Sequence, residues 1–461
     1  MTDPTRTESA SEAPRILIIT PDTLGRRMGG PAIRAWEIAR RLGRLAEVRL
    51  VSLKGAALEH AAFPVLTAST EELREHVAWA DVLIGQGEAF ALHPWIVESE
   101  IIIVVDAYDP LHLEVLESGK DEGEESRKFL VDYCVDMLTT QLRRADYIIC
   151  ASEKQRDFWL GHLGALGRIS PESYDADHSL RALIDVVPFG VSDDEPVQTR
   201  QGIRSSVDGI SSDDKVIIWG GGIYNWFDPL TLVRAVHRLS QRRPEVKLYF
   251  LGMKYPNSDV HESRMATDTL RLAEELGLVD SHVFFNMEWV DYDDRINYLL
   301  DADVAVSTHN QHIETDFSFR TRILDYLWAG LPIVATDGDG FAPIIRDHRL
   351  GAVVPQQDVD ALAAALEEVM FGGDVLAIRE NVRAFALEMT WDRSLGPLID
   401  FVRKPVHAAD YPESRDKSMG GHHRRHIESL EAKILELDRA NNEMAQKISD
   451  LESRMKTRRN R

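Results

Sequence analysis

Short apolar runs alternate with longer amphipathic stretches over residues 15 to about 403 of this chain. Such runs are typical of strands buried on both faces of a parallel sheet, and apolar positions three or four apart predict helices between them. The strands predicted in the first half are 15–20, 48–53, 82–84, 101–105, 147–151 and 184–187. Those predicted in the second half are 216–219, 247–251, 283–285, 304–307, 333–335 and 352–354. This alternation predicts two α/β domains, each a parallel sheet with helices on both faces.

Polar segments set the expected domain boundaries. Residues 1–14 have the composition of a disordered tail, and the Ser- and Asp-rich residues 196–214 have that of an interdomain linker. We therefore expect a first Rossmann-like domain at 15–195 and a second at 196–403. A linker rich in Pro, Gly, His and charged residues follows at 404–421.

The C-terminal segment 422–457 follows a different period. Apolar residues there alternate at spacings of three and four, with Asn441 at one a position, and a basic tail follows at 458–461. This heptad pattern predicts a parallel two-stranded coiled coil whose Asn selects the register, so we expect a homodimer through residues 427–455. A lone surface helix is the alternative, although its apolar stripe is narrow for docking on a core. Peripheral contact of the basic tail with anionic lipid is the alternative to a solvated tail.

The composition narrows the function classes. A formal net charge of −23 argues against nucleic acid as a partner, because phosphate backbones require a basic face. Two cysteines, Cys134 and Cys150, are too few for a disulfide framework and fit a reducing compartment. The N-terminus lacks an apolar signal region, and no apolar run is long enough to span a membrane. We expect a cytoplasmic protein, with the inner face of the membrane as a further location.

Loops at the carboxyl ends of the predicted strands are the candidate sites, because parallel sheets bind their ligands there. Gly29 and Gly30 follow the first strand, and Pro31 suits the first turn of the next helix. Strand, Gly-rich turn and helix together predict a phosphate-binding arrangement, with a plain tight turn as the alternative. The GxGxxG fingerprint is absent, so NAD binding is only weakly supported.

The stretch 314–336 carries the densest ligand-binding signals. Ser318 is predicted to cap a helix whose free N–H groups suit a diphosphate. Arg320 and Arg322 add positive charge and hydrogen-bond donors beside that helix start. Asp325, one turn further on, is placed to accept hydrogen bonds from ribose hydroxyls. We predict a nucleotide pocket here, and a βαβ crossover without a ligand is the alternative.

This stretch also resembles the donor-binding signature of retaining glycosyltransferases of family 4. That signature is a carboxylate, a helix, a second carboxylate, a small residue, Gly, an apolar residue and Pro, and residues 330–332 supply its Gly-apolar-Pro part. The second acid then falls on Asp325, whereas the position of the first is Phe317. Glu314 and Asp316 are the carboxylates nearest to that position, and the catalytic acidic role is assigned to these two.

The resemblance covers residues 15 to about 403 and implies the GT-B fold, in which two Rossmann-like domains face each other across a cleft. It implies transfer of a hexose from a nucleotide-sugar donor to a glycan or lipid-linked acceptor, with retention of configuration and without a metal or other cofactor. Cell-envelope or polysaccharide biosynthesis is the expected setting. The alternatives are a nucleotide-sugar epimerase of the same fold and a catalytically weak nucleotide-sugar-binding scaffold dimerised by its coiled coil.

On the donor side, the loop 220–229 stands where the family carries an Arg and a Lys for the diphosphate, and both cations are absent. The amides of its glycines can still bind phosphate, and the charge would come from other cations. The donor-binding residues implied are Gly29, Gly30, Gly221, Gly222, Lys254, Phe317, Ser318, Arg320, Arg322 and Asp325.

On the acceptor side, Asp106 falls where many family members have a His-Asp pair, and Val105 replaces the His. His309, His312 and Glu314 suggest zinc ligands as an alternative, but the family needs no metal, so we expect these loop residues to face the sugar. The acceptor residues implied are Asp106, Tyr108 and Asp109, and the catalytic residues implied are Asp106, Glu314, Asp316 and Arg322.

Overall fold

The computed structural model describes residues 13–253 and 263–412, together with the six positions Lys433, Ile434, Leu437, Asn441, Met444 and Lys447. The chain divides into two compact units, Met1–Ala409 and Asp410–Arg461, and the first unit contains both sheets. Lys254 and most of the predicted coiled coil lie outside the described residues. Each helix in the two described ranges is too short or too polar to cross a bilayer.

The first domain is built on a seven-stranded sheet whose neighbouring strands all run parallel. Its strands are β1 (Arg15–Thr20), β2 (Glu47–Ser52), β3 (Val65–Thr67), β4 (Val82–Gly85), β5 (Ile102–Asp106), β6 (Tyr147–Cys150) and β7 (Ile184–Val186). The order across the sheet is β3-β2-β1-β4-β5-β6-β7. The order reverses beside β1, and ligands of such sheets bind beyond the carboxyl ends of the strands at that point.

The second domain is built on a six-stranded sheet that is also fully parallel. Its strands are β8 (Lys215–Trp219), β9 (Val246–Phe250), β10 (Val283–Phe285), β11 (Val304–Ser307), β12 (Ile333–Thr336) and β13 (Gly351–Val354). The order is β10-β9-β8-β11-β12-β13, so β8 stands at the point where the order reverses. Two parallel-sheet Rossmann-like domains confirm the predicted fold class.

Helices connect the strands in both domains. Those of the first domain are α1 (Gly30–Leu42), α2 (Thr70–Trp79), α3 (Glu88–Leu92), α4 (Leu111–Ser118), α5 (Glu124–Arg144), α6 (Glu153–Ala165) and α7 (Pro171–Ala176). Those after β8 are α8 (Pro229–Ser240), α9 (Arg264–Glu275), α10 (Arg295–Leu300), α11 (Ile313–Phe317), α12 (Arg322–Trp328), α13 (Phe341–Asp347), α14 (Val359–Phe371), α15 (Val375–Ala386), α16 (Trp391–Ser394) and α17 (Gly396–Arg403). Two 3₁₀ turns, Pro94–Ile96 and Gly119–Asp121, complete the first domain.

The apolar runs are continuous because both faces of each sheet are buried. In β1, Ile16 and Ile18 belong to one hydrophobic cluster, whereas Leu17 and Ile19 belong to another on the opposite face. All twelve predicted strands are present within one residue of their predicted ends. The missed strand, β3, has three residues and lies half-buried at the edge of its sheet, so it offers no apolar run.

The helix of the predicted nucleotide pocket begins later than the sequence suggested. Ser318 does not cap it but ends α11, and α12 starts at Arg322 after Thr321. Arg320 therefore lies in the short connection between two helices, while Arg322 is the first residue of α12. Gly330 ends the segment at φ +65°, in the left-handed conformation that glycine adopts readily after a helix.

The last two helices, α16 and α17, return to the first domain. The ring of Phe401 stacks on Tyr147 with the ring centroids 4.4 Å apart. Trp391 packs so closely on Gly190 that a Cβ atom there would lie 2.4 Å from its backbone. These contacts attach the C-terminal helices to the loop that follows β7.

Candidate functional site

A cavity lies between the two domains, beyond the carboxyl ends of β1, β7 and β8. The first domain contributes Met28, Gly30, Ile33, Phe189, Gly190, Val191 and Ser192 to its wall. The second domain contributes Gly220, Gly221, Gly222, Tyr224, Leu251, Gly252, Trp289, Val290, Tyr292, Arg295, Thr321, Arg322, Leu324 and Asp325. Of the predicted donor-binding residues, the structure thus brings together Gly30, Gly221, Gly222, Arg322 and Asp325.

The loop after β8 forms one wall of the cavity and depends on its glycines. Gly220 donates its N–H to the hydroxyl of Tyr326 at 2.9 Å, and a Cβ atom at Gly220 would lie 2.8 Å from that ring. Gly221 has φ +97°, which side chains with a Cβ rarely adopt, and open space lies beside it. The loop therefore presents backbone rather than side chains to the cavity.

Arg322, at the start of α12, places a cation beside this loop. Its Nη2 donates to the carbonyl of Gly222 at 2.8 Å, and its guanidinium lies 3.9 Å from the ring centroid of Phe227 and 4.6 Å from that of Trp219. Nη1 is buried and has no hydrogen-bond partner in the described part of the chain. Burial lowers the pKa of Arg322 to about 10, which leaves the guanidinium charged at neutral pH. A buried, charged donor beside the cavity is suited to bind an anion.

Asp325 lies in the first turn of α12 and lines the same cavity. Its side chain is 37% exposed, and its Oδ1 accepts a hydrogen bond from Nε of Arg295 at 3.0 Å. Among the described residues, the Asp325 side chain makes this one hydrogen bond. Its other oxygen, Oδ2, can therefore accept hydrogen bonds from a ligand.

Glu314 and Arg320, for which we predicted separate catalytic and donor-binding roles, pair with each other. Nη1 and Nη2 of Arg320 donate to the two carboxylate oxygens of Glu314, both at 2.8 Å. Both side chains are buried, and Arg320 also donates to the hydroxyl of Thr315 at 3.2 Å. A bidentate pair of this kind satisfies both charges internally, which favours a structural role for each residue.

Asp106 is also held in a buried ion pair. Its Oδ2 accepts a hydrogen bond from Nε of Arg34 at 2.5 Å, and Arg34 donates as well to the carbonyl of Val187 at 2.8 Å. The Arg34 guanidinium lies against the rings of Tyr108 and Phe189. Burial raises the pKa of Asp106 while the nearby cation opposes that rise. This arrangement fixes the end of β5 and the start of the loop predicted to bind the acceptor.

Asp109, further along that loop, is half-buried beside a carboxylate that the sequence analysis missed. It shares a hydrogen bond with Glu114, one turn into α4. Burial, together with the charges of Glu314 and Asp106, raises the pKa of Asp109 to about 7. Burial and the neighbouring carboxylates also raise the pKa of Glu114 well above its usual range. The pair therefore retains a proton near neutral pH.

Residues 316–318 lie where α11 meets α6 of the first domain. Asp316 is half-exposed and forms an ion pair with Lys154 at 3.5 Å. The Phe317 ring packs against Phe158 with centroids 4.7 Å apart, and its carbonyl accepts a hydrogen bond from Gln155. Ser318 forms the end of α11. The structure therefore places these predicted donor and catalytic residues at an interdomain contact.

The two histidines of the zinc hypothesis have internal partners. His309 is fully buried with its Nδ1 3.0 Å from the hydroxyl of Thr336. The ring of His312 accepts the N–H of Thr315 at 3.2 Å and so caps α11. In the parts of the chain that the structure describes, no group of three or more His, Cys, Asp or Glu side chains is placed to hold a metal ion.

The Gly-rich loop after β1 connects the two domains beside the cavity. Gly29 caps α1, and a Cβ atom at Gly30 would lie 3.8 Å from the hydroxyl of Tyr108. Arg27 in the same loop forms ion pairs with Glu288 at 3.1 Å and Asp291 at 3.2 Å. The two domains are thus in direct contact along one side of the cavity.

Residues 214–370 match the family model described as Glycosyl transferases group 1. The D-inositol 3-phosphate glycosyltransferase of Saccharomonospora viridis is 29% identical over 246 residues, which cover 51% of this chain and 54% of that protein. The phosphatidyl-myo-inositol mannosyltransferase of Mycolicibacterium smegmatis is 30% identical over 135 residues, 29% of this chain and 30% of that protein. The chain spans about half the length of the D-inositol 3-phosphate glycosyltransferases that it matches.

Solved structures resemble the chain over most of its length. The Anabaena protein Alr3699/HepE, crystallised with UDP, is 13% identical with a TM-score of 0.60, covering 84% of this chain and 99% of its own. WaaG, a glycosyltransferase involved in lipopolysaccharide biosynthesis, is 19% identical with a TM-score of 0.55, covering 86% and 98%. At these identities the likeness shows the fold, which is GT-B, as the resemblance in the sequence implied.

Proposed function

We propose that this protein is a glycosyltransferase that moves a hexose from a nucleotide-sugar donor to a glycan or lipid-linked acceptor with retention of configuration. The observation that carries the proposal is the meeting of Arg322, the glycine loop 220–222 and Asp325 in one interdomain cavity. A diphosphate is bound by cations and backbone N–H groups, and ribose hydroxyls by a carboxylate. The family match over residues 214–370 covers all of these second-domain residues and supports the assignment.

Similar solved structures that contain UDP or a UDP-sugar support a uridine diphosphate sugar as the donor. Alr3699/HepE was crystallised with UDP and with UDP-glucose, and an Escherichia coli protein of similar fold with UDP-2-fluoro glucose. In this chain the diphosphate would lie against Arg322 and the loop after β8, with the ribose against Asp325. The cation that the family carries in that loop is then supplied by Arg322 from α12, through its contact with Gly222.

In the proposed reaction the bond between the sugar's anomeric carbon and the diphosphate breaks, and a bond to the acceptor oxygen forms on the same face. The leaving diphosphate takes the acceptor proton, so the protein mainly positions the reactants and stabilises growing phosphate charge. We assign that stabilisation to Arg322 and the loop amides, without a metal ion, as the resemblance implies.

The acceptor side is proposed to be the loop that follows β5. Asp109 and Glu114 share a proton and are half-buried, so they offer both a donor and an acceptor to a hydroxyl group. The buried Asp106–Arg34 pair would hold the loop and Tyr108 in place rather than contact the acceptor itself. Cell-envelope or polysaccharide biosynthesis remains the proposed setting, since WaaG acts in lipopolysaccharide biosynthesis.

We expect Asp325→Ala to lower donor affinity at least about tenfold, since hydrogen bonds to a charged group contribute roughly 1.5–3 kcal/mol. A thermal-shift screen of sugar nucleotides first identifies the donor of the wild-type protein, and titration calorimetry then compares the variant. Glu367→Ala is the matched control, because Glu367 also accepts hydrogen bonds from an arginine but lies on α14, outside the cavity wall. Unchanged affinity in a folded Asp325→Ala protein would contradict the assignment.

We also propose a homodimer through a parallel coiled coil of residues 427–455. The six described positions of this segment are helical, and Ile434, Leu437 and Met444 of the heptad stripe are 57%, 58% and 56% exposed in the single chain. Apolar residues on a heptad stripe are stable when a second helix covers them. Removing residues 422–461 is expected to convert a dimer into a monomer by light scattering. A truncated protein that stays dimeric would place the interface on the globular domains.

A further inference from the structure

Arg295, the first residue of α10, has its guanidinium group held by two hydrogen bonds and two aromatic rings. Its Nε donates to Oδ1 of Asp325 at 3.0 Å, and its Nη1 donates to the carbonyl of Tyr292. The guanidinium lies 3.8 Å from the ring centroid of Tyr292 and 4.8 Å from that of Trp328. The side chain is 13% exposed and lines the interdomain cavity. A guanidinium held between two rings and two acceptors has little freedom to rotate.

This arrangement fixes one oxygen of Asp325. Without a partner, a carboxylate in the first turn of a short helix can take several rotamers, and ordering it would oppose ligand binding. Arg295 removes that cost in advance because its planar fork is itself ordered by packing. With Oδ1 held, the direction of the second oxygen of Asp325 is fixed as well, on a residue that lines the cavity together with Arg295.

Tyr292 extends the arrangement to the first domain. Its backbone N–H donates to the carbonyl of Arg26 at 2.7 Å, and its hydroxyl donates to Oε1 of Glu37 on α1 at 3.2 Å. Glu37 is buried and also accepts hydrogen bonds from Arg40 and Arg41, so the acceptor is itself fixed. The ring that supports Arg295 is therefore placed by contacts with the first domain.

We propose that Arg295 is a positioning residue that orients Asp325 for the ribose of the nucleotide, and that this orientation depends on the first domain through Tyr292. The inference rests on the proposed nucleotide-sugar function and adds to it a source of ribose discrimination. It also predicts that the contact between the domains strengthens donor binding, because the ribose contact is complete when Tyr292 is seated against Glu37.

The test uses the full-length protein and two probes. The first is whichever of UDP, GDP and ADP binds the wild-type protein, and the second is its 2′,3′-dideoxy counterpart. Arg295→Met is expected to weaken binding of the ribonucleotide ~10-fold, since a charged hydrogen bond is lost, and to change binding of the dideoxynucleotide less than about twofold. Calorimetry of both ligands gives the ratio of affinities, which a general structural defect would leave unchanged.

The control is Arg243→Met. Arg243, which is not part of the cavity wall, also contacts a carboxylate and an aromatic ring. Its Nε donates to Glu367 at 3.0 Å, and its guanidinium lies 4.4 Å from the ring centroid of Phe371. The Arg243→Met variant is expected to leave the affinities for both nucleotides unchanged.

Arg295→Lys, which keeps the charge but loses the planar fork, should recover part of the discrimination between the two nucleotides. Combining Arg295→Met with Asp325→Ala should cost no more than Asp325→Ala alone, because the two residues act as one unit.

Tyr292→Phe tests the interdomain part, since it removes the hydroxyl but keeps the ring beneath Arg295. It is expected to weaken binding of the ribonucleotide by roughly threefold and binding of the dideoxynucleotide less than about twofold, because only the ribose contact depends on the orientation of Asp325. Unchanged affinities would remove the first domain from the proposal. Equal losses of both nucleotides in Arg295→Met would show that Arg295 contacts another part of the ligand and would overturn its positioning role. A wild-type protein that binds none of the three diphosphates would instead overturn the proposed function.

Discussion

Replacing Arg322 by methionine is expected to lower kcat by ~10²–10³-fold, the loss found when one donor to a developing negative charge is removed. The donor's affinity should fall much less. Negative charge on the leaving diphosphate grows between the bound state and the transition state, so a cation beside it contributes more to turnover than to binding. Methionine keeps the unbranched apolar stem of the side chain beside Trp219 and Phe227 and lacks the guanidinium group.

The position of Arg322 explains the size of this effect. Its guanidinium is buried in a low-dielectric site, where a charge acts more strongly than in water. One of its terminal nitrogens already holds the loop through Gly222, and the other has no hydrogen-bond partner among the residues that the structure describes. The methionine variant therefore removes both the free donor and the support of the loop whose amides face the same cavity.

The measurement is release of nucleoside diphosphate from the sugar nucleotide that stabilises the wild-type protein, at saturating and limiting donor. Arg379→Met is a suitable control, because Arg379 also donates to backbone carbonyls, at Ala302 and Asp303, and burial likewise lowers its pKa. It lies on α15, outside the cavity wall, and should change kcat less than about twofold, as expected of a residue that contacts no reactant. An Arg322→Met enzyme with wild-type kcat would mean that other cations bind the phosphate.

The fold was predictable because parallel strands buried on both faces have a simple signature. Each is a continuous apolar run, and twelve of the thirteen strands found in residues 13–253 and 263–412 were located from those runs. β3 was missed because an edge strand with two half-buried residues and one exposed residue needs little apolar character. The charged residues after 117 gave no apolar period either, yet α5 runs there for 21 residues, half of it on the surface.

The site was predictable where the backbone determines it and less so where tertiary contacts do. Arg322, Asp325 and the glycine loop follow from a local motif, and the structure brings them into one cavity. Glu114 and Arg295 depend on packing between elements far apart in sequence. Arg295 lies 30 residues before its partner Asp325, and no local pattern marks such a pair. Arg295 follows two aspartates and a tyrosine at the start of an ordinary helix, so sequence reasoning had no signal for it.

Glu314 is the residue for which sequence and structure suggest different roles, and its replacement should have a large effect on stability. Glu314→Leu leaves the Arg320 guanidinium buried without its carboxylate, which costs about 3–5 kcal/mol of unfolding free energy. Replacing both residues, as Glu314→Leu with Arg320→Met, should recover most of that loss, because apolar groups of similar volume need no counter-charge. The exposed bidentate pair of Asp337 with Arg346 is the matched control.

Urea titrations of the four proteins measure these differences, and Asp337→Leu should cost less than about 1 kcal/mol because water screens its pair. Equal losses at Glu314 and Asp337 would show that the buried pair is not desolvated. The double variant then decides the role of Glu314, since it should fold and so can be assayed. If it still transfers sugar, Glu314 serves to hold Arg320 and the connection between α11 and α12. If it is folded but inactive, one of the roles that the resemblance assigned to this pair is restored, catalysis for Glu314 or donor binding for Arg320.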